Sequence, residues 1–114
     1  MSSPQERFEQ LLASKYQEIV DLADQHGAFN LQVFGSIARG EAREDSDLDL
    51  LMEYDLSRTS SWFPAGLKLD LEELLGVSVD LGTAESLKER IRDRVLADAK
   101  PLAEFAQYIS DKTA

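Results

Sequence analysis

With 114 residues, 43 % of them hydrophobic and 30 % charged, the chain is sized and composed for a single domain (1–114) with a modest core, not for a disordered or collagenous chain. A formal charge of −10 counts against free nucleic acid as a partner, because backbone binding needs a basic face, and favours a basic protein surface. The absence of cysteine excludes disulfides and thiolate metal sites, no stretch approaches the roughly 18 apolar residues of a membrane span, and the polar start MSSPQERFEQ makes a cytoplasmic protein the expectation.

The first predicted element is a helix over 5–25, in which Phe8, Leu11, Leu12, Ile19, Val20 and Ala23 recur at helical spacing. Ser3 is placed to cap it, with Pro4 at its first position and Gly27 as its stop. FNLQVF (29–34) reads as a strand running into Gly35-Ser36, with a short helix near 37–41. DLDLLMEY (47–54) reads as the second strand and DLSRTSS as a polar loop. The run 62–75 reads as a helix stopped by Gly76, with Trp62 and Phe63 read as core. VSVDL (77–81) is the third strand. Residues 85–99 form a further helix, ended or kinked by Pro101. LAEFAQYI, in the tail 101–114, suggests a last short helix carrying Phe105, Tyr108 and Ile109. The order predicts an α/β fold, a small mixed sheet flanked by helices, with a core over about 29–100.

Strand alternation places Asp47, Asp49, Leu51 and Glu53 on one face of the second strand and Leu48, Leu50, Met52 and Tyr54 on the other. Two neighbouring carboxylates on Cα atoms about 7 Å apart repel unless something neutralises them. A hard divalent cation such as Mg²⁺ does so while also taking phosphate oxygens. On the third strand Ser78 and Asp80 share a face. If that strand lies beside the second, Asp80 joins the pair and supplies the third carboxylate of a two-metal phosphoryl-transfer site. Taken alone, a D-x-D is most often an exposed pair, and Gly-Ser is a common turn. The combination carries the weight. Gly35-Ser36 after a strand can let a phosphate approach the backbone, and Arg39, about one turn on, can reach that phosphate.

The stretch GSIARGEAREDSDLD resembles the G-S-x10-D-x-D signature of the polymerase β-type nucleotidyltransferases. More narrowly, it is similar to the minimal nucleotidyltransferase (MNT) family, the antitoxin halves of HEPN/MNT toxin–antitoxin pairs. The likeness extends over roughly 29–102, through LEELLG, VSVDLGT and LKERIRDRVLADAKPL. It implies a polymerase β palm-like fold. It also implies that Gly35 and Ser36 hold the triphosphate of ATP, that Asp47, Asp49 and Asp80 bind Mg²⁺, and that Asp80 helps take the proton from the attacking hydroxyl. The implied activity is AMP transfer to a tyrosine of a cognate HEPN ribonuclease toxin in a hetero-oligomer. The larger enzymes of the superfamily append domains for base and acceptor, for which this chain has no room.

Two other functions stand beside it: an antitoxin that neutralises by binding alone, as the acidity allows, and a nucleotidyltransferase acting on RNA or a small molecule. Lys88, Arg90, Arg92 and Arg94 form a basic run that reads as a solvated helix face, with Glu89 and Asp93 as local partners. His26, the single histidine, reads as a favourable side chain at a helix C-terminus.

Overall fold

The computed structural model describes residues 2–106, and its first departure from expectation lies in the first helix. The predicted span 5–25 is two helices, α1 (Pro4–Ser14) and α2 (Tyr16–Gln25), broken at Lys15, whose φ of −105° and ψ of 8° are not helical. Ser3 caps α1 as expected, its Oγ accepting from the Glu6 N–H at 3.1 Å. No Gly or Pro marks the break. Each helix has its own tertiary anchor: Gln5 of α1 donates to the Ile37 carbonyl at 2.8 Å and accepts from the Ala42 N–H at 2.9 Å. These bonds draw α1 toward the segment after the first strand, while α2 buries Ile19 and Ala23 elsewhere in the core.

The sheet is mixed, as expected. Strand β1 (Ala28–Phe34) pairs antiparallel with β2 (Leu48–Tyr54), and β2 pairs parallel with β3 (Val79–Gly82). A two-residue strand, β4 (Lys100–Pro101), which the sequence pattern did not announce, lies antiparallel on the far side of β1, giving the order β3-β2-β1-β4. Between β1 and β2 stands α3 (Gly35–Ala38). Between β2 and β3 come a single 3-10 turn (Leu56–Arg58) and α4 (Ala65–Leu75). A second 3-10 turn (Ala84–Ser86) leads from β3 to α5 (Glu89–Asp98), so both later helices are shorter at their N-termini than the periodicity implied. Residues 102–106 are helical; Tyr108 and Ile109 of the expected last helix lie outside the described residues. Among the described residues, no helix is long and apolar enough to cross a membrane.

The core is built from Leu12, Ile19, Val33, Leu67, Leu71, Val79 and the apolar face of β2, with Leu48 and Leu50 fully buried. The alternation read from DLDLLMEY is therefore the observed one, with two departures. Tyr54, at the strand end, is exposed and tilts against Phe63 at 5.1 Å between ring centres. Leu51 is buried although it shares the carboxylate face, where it and Leu96 of α5 line one cleft. Trp62 is a correction: it is 76 % exposed, while Phe63 packs against the core. A residue before proline is pushed out of the helical region, and α4 accordingly begins only after Pro64. His26 closes α2 and its Nε2 lies 2.8 Å from Asp70 Oδ2 of α4, so it ties two helices together.

Candidate active site

Everything in the candidate site follows from which strand ends meet. In the β1–β2 pairing Phe34 lies opposite Asp49, so the chain leaves β1 at Gly35 directly against the Asp49 side chain. In the β2–β3 pairing Asp49 lies opposite Asp80. The parallel register thus supplies the neighbour that the second strand alone could not guarantee.

Gly35 is fixed by two separate constraints. Its φ of +75° is the left-handed region that side chains disfavour. A Cβ there would also collide with Asp49 Oδ2 and lie 3.1 Å from Asp49 Cγ. Ser36 follows in α3, where its Oγ donates to Ser46 Oγ at 3.2 Å and its carbonyl accepts from the Glu41 N–H at 2.8 Å. Ser46 Oγ in turn accepts from the Arg43 N–H at 2.8 Å, which closes the loop that delivers the chain to Asp47.

The carboxylates differ in environment. Asp47 and Asp80 are exposed; Asp49, between β1 and β3, is half-buried. Burial, reinforced by the Asp80 and Asp47 charges and a hydrogen bond with Asp80, pushes the Asp49 carboxyl from its ordinary 3.8 up to about 6, with Arg39 opposing. Arg39 is therefore near enough to act on Asp49, although its guanidinium is engaged by Glu41 at 3.2 Å and by Asp98 of α5 at 3.6 Å.

A carboxylate held this far up is one that a cation would stabilise. Among the described residues, no group of three or more His, Cys, Asp or Glu side chains is drawn together so that it could hold a metal ion. The donor set instead fits Mg²⁺, which is ordinarily bound through one or two carboxylates with substrate phosphates and water completing its shell.

Lys68 and Glu72 escaped the sequence reading. Lys68 Nζ lies 2.9 Å from Glu72 Oε2, one helical turn on, and the same oxygen accepts from the Val79 N–H at 3.0 Å. Glu72 holds the Lys68 ammonium above its ordinary value, and Asp80 and Asp47 add to the effect. The spacing of Lys68 and Glu72 is visible in the sequence; that α4 brings them beside Asp80 is not. The basic run of α5 stays apart. Among the described residues Lys88, Arg90, Arg92 and Arg94 form no ion pair, and Arg92 donates to the Leu87 carbonyl at 3.3 Å. A groove of about 620 Å³ beside α2, β1 and β4 contains none of the predicted site residues.

Comparison with known proteins gives the chain its family. The sequence model of the nucleotidyltransferase domain family matches residues 14–102. The chain is 39 % identical, over 93 residues, to the protein adenylyltransferase MntA of Thermococcus cleftensis, covering 82 % of this chain and 90 % of that one. A solved structure given the provisional description of a minimal nucleotidyltransferase superposes with a TM-score of 0.69 at 45 % identity, over 82 % of this chain and 94 % of its own. A toxin–antitoxin crystal structure with AMP-PNP shares the fold, with a TM-score of 0.61 at 22 % identity over 85 % of this chain and 86 % of its own. With its Gly-Ser turn, its D-x-D strand and its parallel third strand in these positions, the chain belongs to the nucleotidyltransferase domain family.

Proposed function

We propose that the chain transfers AMP from ATP to a tyrosine of a HEPN-type ribonuclease toxin with which it assembles, and so silences that toxin. The observation that carries this reading is the cross-strand pair Asp49–Asp80 set directly against Gly35. It places a cation-seeking carboxylate pair beside the glycine turn that leaves the first strand. The likeness to the adenylyltransferase MntA supports the nucleotide and the protein acceptor, and the net charge of −10 suits a basic partner.

In this reading Gly35 and Ser36 hold the triphosphate through backbone N–H groups, and Arg39 swings from Glu41 and Asp98 to its outer oxygens. Asp47, Asp49 and Asp80 hold Mg²⁺ together with phosphate oxygens, and Mg²⁺, when bound, supplies neutralisation of the charge on the transferring group. Asp80 accepts the proton of the attacking hydroxyl. Positioning and charge do most of the catalysis, as in phosphoryl transfer generally.

The test is to incubate the protein with the toxin, ATP and Mg²⁺ and weigh the toxin by mass spectrometry. AMP-sized gains are expected with the wild type, falling about 10²-fold or more in rate for Asp49→Ala. A toxin of unchanged mass, or gains that survive both Asp47→Ala and Asp49→Ala, would refute the reading.

A further inference from the structure

The sheet order gives the carboxylate cluster two unlike flanks. Toward β1 lie Gly35, Ser36 and Arg39; toward β3 lies Asp80, and β3 is the outermost strand on that side. From α4, Lys68 reaches the neighbourhood of Asp80 and Asp47, half-exposed and paired with Glu72. Glu72 is itself anchored to the backbone of Val79, the residue before Asp80, so the resting ammonium sits beside this strand.

In-line transfer at phosphorus needs the attacking oxygen opposite the leaving group. With the triphosphate tail on the Gly35–Ser36 flank, the acceptor hydroxyl must arrive from the β3 flank, where Lys68 is the cation in place. We propose that Lys68 is an acceptor-side catalytic residue, whose ammonium leaves Glu72 to meet the attacking oxygen as that oxygen develops charge. The inference rests on the transferase reading above. A half-exposed ion pair is held weakly, so the exchange of Glu72 for the acceptor is an easy one.

The step balances as follows. A lone pair of the hydroxyl oxygen forms the bond to the α-phosphorus, and the bond from the α-phosphorus to the bridging oxygen breaks. That electron pair leaves on pyrophosphate, and the hydroxyl proton goes to Asp80 and then to solvent. Lys68 keeps its protons throughout and acts by charge alone.

The experiment uses α-labelled ATP, Mg²⁺ and N-acetyltyrosinamide as the phenol acceptor, with ATP binding measured separately by equilibrium dialysis. For Lys68→Met the expected result is a kcat lower by roughly 10²-fold, with the ATP dissociation constant within about twofold of wild type. Retained ATP binding also reports an intact fold. Lys68→Arg, which preserves the charge, is expected to recover most of the transfer. Transfer by Lys68→Met at the wild-type rate overturns the proposal, as does a loss lying wholly in ATP binding, which would put Lys68 on the phosphate side. Equal loss in the Met and Arg variants also overturns it. Where the wild type labels no free phenol, the same variants are read on the toxin; a wild type that labels neither refutes the tyrosine-transfer reading itself, and this proposal with it.

Discussion

At the scale of single residues, Gly35 stands directly against Asp49, with no space left for a side chain. Gly35→Ala is expected to destabilise the fold by about 1–3 kcal/mol from its left-handed backbone alone. Collision with Asp49 adds to that, and urea unfolding measures the sum. Asp49 carries a second prediction. Its carboxyl titrates near 3.8 unfolded and at about 6 folded, so between those values the folded protein holds the extra proton. Stability contributed by that proton is present below the lower value and is lost as pH rises through about 6. Asp49→Asn removes the charge. It should therefore be more stable than wild type above pH 6, by an amount on the order of 1 kcal/mol given the solvent screening of a half-exposed group. The gap should close as pH falls toward 4, as read by thermal melts across that range. A variant less stable than wild type at pH 8 would contradict the electrostatic account.

Among the elements, α4 carries both buried and exposed leucines. Leu71, fully buried, should cost about 2–5 kcal/mol when cut to alanine, whereas Leu69, 64 % exposed on the same helix, should change stability by less than about 0.5 kcal/mol. Chemical denaturation of the two variants makes the comparison. The same helix marks the boundary of what the sequence disclosed. Periodicity is local, so α4, the alternation of β2 and the pairing of Gly35-Ser36 with Asp47 and Asp49 could all be read from neighbouring residues. The register that sets Asp80 opposite Asp49 is a long-range fact, available beforehand only as a condition. Lys68 was invisible for the same reason, since its significance depends on which strand α4 covers. The break at Lys15 left no trace because no breaker residue stands at the site. Trp62 was misassigned because a helical spacing was carried back across Pro64.

For the whole molecule, a charge of −10 spread over a radius of gyration of 13.8 Å makes self-repulsion a general cost of folding. Raising salt from about 10 to 150 mM shortens the screening length from about 30 to 8 Å. The melting temperature should therefore rise over that range, and a fall would mean that the surface ion pairs outweigh the repulsion. The sheet also bears on how the molecule meets copies of itself. A sheet's outer strands are templates on which a foreign strand can grow. Here β4 places Pro101, which has no N–H to offer, on one outer strand. On the other, Glu72 already occupies the N–H of Val79 in β3. A strand joining either side would meet a missing donor or have to evict a side chain, so the sheet is guarded against fibre-like growth at both ends.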